Sequence, residues 1–176
     1  MIRVVIVDDH AIVRTGLRQF LSDQVDLRVT GEAANGREAL ERVREGDVDV
    51  ILLDLSMPGQ SGVDALAAIH AREPELPVLI LSGYPETHYA TTLLRQGASG
   101  YLNKECDPEE IAQAIRTVAR GRKGITSTVA ELLADGRGAD LHERRHKLLS
   151  ARKFQVFVRL AKGETLDKLL PEAFAV

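Results

Sequence analysis

Residues 2–10 read Ile-Arg-Val-Val-Ile-Val-Asp-Asp-His, and residues 48–54 read Val-Asp-Val-Ile-Leu-Leu-Asp. Each is a short β-branched or Leu-rich run that ends in acid. A strand buried on both faces has no polar side to alternate with, so a nearly continuous apolar run marks the inner strands of a parallel sheet. Further strand-like segments stand at 27–33, at 77–81 and, in short form, around 100–102. Apolar residues at helical spacing lie between them. Ile12, Val13, Leu17, Phe20 and Leu21 fit one apolar face, and Ala39, Leu40 and Val43 a second, after the Asn35-Gly36 turn. Val63, Leu66, Ala67 and Ile69 fit a third, and Ala90, Leu93 and Leu94 a weaker fourth. The fifth helix has the clearest start. Asp107 is placed to N-cap, Pro108 suits the first helical position, Glu110 completes a capping box, and Gly121 is a stop. Strand and helix alternate five times, which predicts an α/β fold: a doubly wound (βα)5 domain with a five-stranded parallel sheet over 1–121, followed by a short all-α region.

The composition agrees with one domain and a smaller partner. The 176 residues are 44% hydrophobic, enough to bury a core, and the net charge of −3 is too small for a wholly basic nucleic-acid binder. The longest apolar runs fall far short of the roughly 20 residues of a membrane span, and the N-terminus lacks the pattern of a signal peptide. Cys106 is the single cysteine, so no internal disulfide forms, and a cytoplasmic setting is expected. The absence of Trp makes an aromatic stacking platform for single strands improbable. Charge is uneven. Residues 1–113 carry a net −9, 114–153 a net +6, and 154–176 none. The basic stretch reads equally as a solvated linker or as a region with a different partner. Residues 122–149 read as that linker, with a short helix over 126–134. A last helical unit starts at Ser150 and carries Phe154, Phe157, Val158 and Ala161 on one face.

In an open parallel sheet, ligands bind beyond the carboxyl ends of the strands. Asp8 and Asp9 follow the first strand there, Asp54 the third, Ser82 the fourth, and Asn103 and Lys104 the fifth. Three clustered carboxylates repel, so a proton or a cation must sit among them. Hard oxygen ligands with room for water suit Mg²⁺. A carboxylate beside such an ion can attack a phosphoryl group, and Lys104 would neutralise charge on the transferring oxygens. His10 is an ordinary helix-start residue on this reading, since no second His or Cys has ligand spacing with it.

At these positions a resemblance becomes specific. Val-Asp-Asp-His at 7–10, Leu-Asp-Leu-Ser-Met-Pro-Gly at 53–59, Gly62, Leu-Ser-Gly at 81–83 and Gly-Tyr-Leu-Asn-Lys at 100–104 resemble a response-regulator receiver domain, in detail that of the NarL/FixJ type of transcriptional regulator. The resemblance implies that Asp54 accepts a phosphoryl group from a sensor histidine kinase. It implies that Asp9 ligates Mg²⁺ directly, Asp8 through water, and Ser56 by its backbone carbonyl. Lys104 would bridge to the phosphoryl group, Ser82 would swing toward it, and Tyr101 would rotate inward as an aromatic switch. Met57, Pro58 and Gly62 would shape the loop after Asp54. A homodimer through the fourth-helix, fifth-strand and fifth-helix face, or through the first and fifth helices, is also implied.

Leu-Ser-Ala-Arg-Lys-Phe-Gln-Val at 149–156 and Leu-Ala-Lys-Gly at 160–163 resemble the opening of that family's LuxR-type helix-turn-helix domain. Lys153 departs from the usual acid. The 27 residues from Ser150 onward hold two helices at most, so 150–176 is expected to lack the recognition helix, and DNA binding would require a longer output domain. The expected protein is a transcriptional switch without turnover chemistry beyond its own phosphorylation and dephosphorylation. A stand-alone receiver acting by protein contacts is the first alternative. An Asp-nucleophile phosphatase is the second, disfavoured because its usual Asp-x-Asp pair is replaced by adjacent acids. No Gly-x-Gly-x-x-Gly follows the first strand, which disfavours dinucleotide binding.

Overall fold

A computed structural model describes residues 1–57 and 61–134. Five parallel strands form one sheet: β1 (Ile2–Val7), β2 (Leu27–Ala33), β3 (Val50–Leu53), β4 (Val78–Ser82) and β5 (Gly100–Asn103), in the order β2-β1-β3-β4-β5. Six helices accompany them: α1 (Ala11–Ser22), α2 (Gly36–Glu45), α3 (Gly62–Arg72), α4 (Glu86–Arg95), α5 (Pro108–Ala119) and α6 (Ser127–Ala134). The strand order reverses direction after β2-β1, which puts the switch point of the sheet beside the carboxyl end of β1. The expected doubly wound fold is therefore present.

The central strands are apolar throughout because both faces are covered. Every residue of Val50–Leu53 and Val78–Ser82 is buried. One layer packs Val4, Ile6, Leu52, Leu79 and Leu81 against Leu21 of α1 and Ile111, Ile115 and Val118 of α5. Alternation along the strands sends Val5, Val7, Ile51, Leu53 and Ile80, all buried, to the opposite face.

Local chemistry sets the boundaries. β3 begins two residues later than expected, because Asp49 is taken up by Arg3. Its carboxylate accepts from the Arg3 backbone amide at 2.8 Å and from the guanidinium at 3.0 and 2.7 Å. Asn35 caps α2 rather than merely turning the chain. Its side chain accepts from the Glu38 amide at 3.0 Å, and Glu38 reaches back to the Ala34 amide at 2.7 Å. Gly46 closes the same helix at φ 74°, a left-handed conformation that costs glycine nothing.

Three expectations are corrected. Ala67 does not join the apolar face of α3: it is exposed, and Ala65 is buried beside Leu66 instead. Ile12 does not join the apolar face of α1. It is 88% exposed, since one residue before Val13 is a turn of about 100° away from the stripe through Leu17, Phe20 and Leu21. Asp107 holds the N-cap position of α5, with Pro108 after it, but its side chain makes no cap hydrogen bond. The first turn is closed by the backbone instead, with the Glu110 amide donating to the Asp107 carbonyl at 2.9 Å.

The first compact unit spans Met1–Ala134 and includes α6. Gly124 pairs with the free edge of β5. Its amide donates to the Ser99 carbonyl at 2.9 Å, and its carbonyl accepts from the Tyr101 amide at 3.1 Å. From there α6 packs on α4, with Val129 fully buried, and Thr126 donates to the Glu86 carboxylate. The expected unit from Ser150 onward lies outside the described residues. Among the described residues, no helix is long and apolar enough to cross a membrane.

Candidate functional site

The backbone ladder carries straight into the site. The Asp8 amide donates to the Ala33 carbonyl at 3.1 Å, the Asp54 amide to the Val7 carbonyl at 2.8 Å, and the Lys104 amide to the Ser82 carbonyl at 2.8 Å. Each residue that follows a strand is thus fixed by its neighbour in the sheet. The structure brings Asp8, Asp9, Asp54 and Lys104 together at the carboxyl edge.

Asp8 and Asp54 are each 2% exposed. Lys104 Nζ stands 2.6 Å from Asp8 Oδ2 and 3.1 Å from Asp54 Oδ2, so one ammonium serves two buried carboxylates. Burial pushes the Asp54 carboxyl up from its ordinary range. Lys104 opposes that shift, Asp8 reinforces it, and the Ser56 amide opposes it further. Burial pulls the Lys104 ammonium down, but the hydrogen bond to Asp8 and the charges of Asp54 and Asp8 outweigh it, and the net direction is up.

A ligand atom from each of Asp8, Asp9, His10 and Asp54 lies within 4.8 Å of the others, and this group could hold a metal ion. Asp54 Oδ1 is buried and accepts no hydrogen bond among the described residues. An anionic oxygen in that condition is expensive unless a cation meets it. The donor set is mainly carboxylate oxygen, which suits a hard divalent cation.

Ser82 is fully buried, and its Oγ accepts from the Tyr84 amide at 3.2 Å. Tyr101 is fully buried as well, and its hydroxyl donates to the Tyr84 carbonyl at 2.9 Å. Burial raises its phenol well above the usual range, so it is a neutral donor. Tyr101 therefore already occupies the inward position that the resemblance gave to a switched state. Ser56 lies three residues beyond β3 and is half-buried, and Met57 after it is buried. Pro58 falls outside the described residues.

Gly62 shapes the chain after Asp54 by its lack of a side chain. A Cβ there would stand 2.2 Å from the Asp54 carbonyl oxygen and 2.5 Å from Leu55 Cα. That contact explains why α3 can start directly under the loop, with Ser61 as its cap.

One contributor was set aside in the sequence reading and another escaped it. His10 sits at the N-cap of α1 as expected, but its ring turns back to the acids. His10 Nδ1 lies 2.9 Å from Asp9 Oδ1 and 3.2 Å from Asp8 Oδ1. Arg14, one helical turn on, donates to the Asp8 carbonyl at 2.7 Å and pairs with Glu32 at 3.2 Å. The spacing of four residues from His10 to Arg14 was the available signal.

A family model described as the response regulator receiver domain matches residues 4–116. The response regulator UvrY of Escherichia coli K12 is 34% identical over 170 residues, covering 96% of this chain and 78% of that protein. The oxygen regulatory protein NreC of Staphylococcus haemolyticus is 39% identical over 168 residues, covering 92% of this chain and 77% of that protein. Among solved structures, a LuxR-family two-component response regulator from Aurantimonas sp. SI85-9A1 superposes with a TM-score of 0.70 at 34% identity, covering 77% of this chain and 96% of that one. The signal receiver domain of the response regulator NarL from Mycobacterium tuberculosis gives 0.63 at 40% identity, covering 69% and 98%.

Proposed function

This chain belongs to the response regulator receiver family, and on that premise we propose that Asp54 is its phosphoryl-accepting residue. The protein is a two-component response regulator that controls transcription. The observation that supports Asp54 as its acceptor is the buried, poorly compensated carboxylate at the end of β3, with Lys104 Nζ 3.1 Å away.

An oxygen of Asp54 attacks the phosphorus of a phosphohistidine on the partner kinase. A P–O bond forms, the P–N bond breaks, and the imidazole leaves with that electron pair. Lys104, held at 2.6 Å by Asp8, stays beside the oxygens that gain charge. Asp9, Asp54 and the Ser56 carbonyl would hold Mg²⁺, with Asp8 supporting it through water, and the ion when bound would offset the negative charge gathered there. The Ser82 hydroxyl donates to the new phosphoryl oxygen, giving up its contact with the Tyr84 amide. Tyr84 also holds the Tyr101 hydroxyl, so this exchange reaches β5 and the start of α4, where two arrangements can change in population. Hydrolysis of the acyl phosphate returns Asp54, and no other turnover is assigned. The output is contact with another copy, with DNA, or with both.

Incubation with acetyl phosphate and Mg²⁺ tests the assignment. Intact-mass spectrometry should show a single phosphoryl adduct, lost with chelator and in Asp54→Asn. An adduct that persists in Asp54→Asn would sink the assignment of Asp54.

A further inference from the structure

We propose that His10 is a nitrogen ligand at the acidic centre, which makes the site prefer an imidazole-binding transition-metal ion such as Ni²⁺ or Zn²⁺ over Mg²⁺. The inference rests on the reading of the centre as a cation site.

Geometry comes first. In an octahedral ion with bonds of about 2.1 Å, adjacent ligand atoms lie about 3.0 Å apart. His10 Nδ1 stands 2.9 Å from Asp9 Oδ1 and 3.2 Å from Asp8 Oδ1. All four ligand atoms, from Asp8, Asp9, His10 and Asp54, fall within 4.8 Å of one another, a little wider than the about 4.2 Å between opposite ligands of such an ion, so a small inward movement would close them on one cation. Asp54 Oδ1 is buried without a hydrogen-bond partner among the described residues.

The chemistry then selects the ion. Mg²⁺ gains little from nitrogen, whereas imidazole suits Zn²⁺ and Ni²⁺, and the affinity of a given site rises along the first-row series. The ring is held for the task. The His10 backbone amide donates to Asp8 Oδ1 at 2.8 Å, which anchors the residue at the head of α1. The side chain is 63% exposed, so the ring joins the centre from the solvent side without needing a cavity of its own. The competing account is a ring that merely donates Nδ1–H to the carboxylates.

Isothermal titration calorimetry of the full chain with Ni²⁺ and with Mg²⁺ separates these accounts, in wild type, His10→Gln and Asp9→Asn. Wild type should bind Ni²⁺ at least tenfold tighter than Mg²⁺. His10→Gln should weaken Ni²⁺ by about 10-fold or more, the scale on which metal sites respond to altered surroundings, and leave Mg²⁺ within twofold. With Mn²⁺ as a spin probe, pulsed EPR should show a directly bound nitrogen that disappears in His10→Gln. Unchanged Ni²⁺ affinity and unchanged nitrogen coupling in His10→Gln would overturn the proposal while the acidic centre stands. Ni²⁺ binding that survives Asp9→Asn but not His10→Gln would also overturn it, by placing the ion elsewhere. Mg²⁺ binding undiminished in Asp9→Asn would instead refute the cation-site reading beneath it.

Discussion

Neutralising Asp54 should make the protein more stable while removing its function. Asp54 is 2% exposed, and Lys104 Nζ lies closer to Asp8, at 2.6 Å, than to Asp54, at 3.1 Å. The folded state therefore holds a buried carboxylate with a shared counter-charge and an oxygen that accepts no hydrogen bond among the described residues. Leaving a buried polar group unsatisfied costs about 1–3 kcal/mol, and more when it is charged. Asp54→Asn keeps the shape, removes the charge and leaves the Asp8–Lys104 pair intact. A gain of about 1–3 kcal/mol is expected without divalent cation. With roughly 3–5 °C per kcal/mol for a unit of this size, the melting temperature should rise by about 3–15 °C.

The pH dependence has a definite sign. Burial raises the folded-state carboxyl above its unfolded value, so the folded state binds the proton more tightly. Wild-type stability then falls as pH rises from the unfolded value through the raised one, and Asp54→Asn is spared that loss. Differential scanning calorimetry in EDTA, repeated from neutral to acid pH, reads both effects. The gap between variant and wild type should close as pH falls and the wild-type carboxyl takes its proton. An Asp54→Asn protein no more stable than wild type at neutral pH in EDTA would refute the reasoning.

Other outcomes follow from the same geometry. Gly62→Ala pushes a methyl against backbone at 2.2 and 2.5 Å, and overpacking of this kind costs about 1–3 kcal/mol. Urea unfolding should register it, together with slower labelling by acetyl phosphate. Asn35→Ala removes the cap of α2 and should cost about 1 kcal/mol in the same unfolding assay, with labelling unchanged. The Cys106 thiol is pushed up to about 11, mainly by burial and then by Glu110, so its reaction with a disulfide reagent at neutral pH should be much slower than that of a free thiol and should accelerate with alkali.

The sheet was legible because strands buried on both faces leave continuous apolar runs, as Val4–Val7 and Val50–Leu53 do. The acids were legible because a doubly wound sheet collects whatever follows its strands on one edge, and Asp8, Asp54 and Lys104 meet there. Side-chain direction was not legible. His10 heads α1 as its position implied, but the turn of its ring toward Asp9 depends on the geometry of the β1–α1 loop. Tyr101 is another case, since spacing places it on β5 while the hydrogen bond of its hydroxyl to the Tyr84 carbonyl fixes where its ring points. Ile12 misled because an apolar residue next to a stripe looks like part of it until the angle is counted.

Gly124 gives the chain a protected margin. Without it, the Tyr101 amide on β5 and the Ser99 carbonyl just before it would lose their partners, and an unpaired strand edge is a template on which another chain can grow. A shortened version ending at Gly121, where α5 stops, would keep the acidic centre and bare that edge. One reaching Ala134 would keep it sealed. The difference is a dozen or so residues with no phosphorylation chemistry of their own, and it should separate a chain whose β5 edge is partly paired from one prone to self-association through that edge.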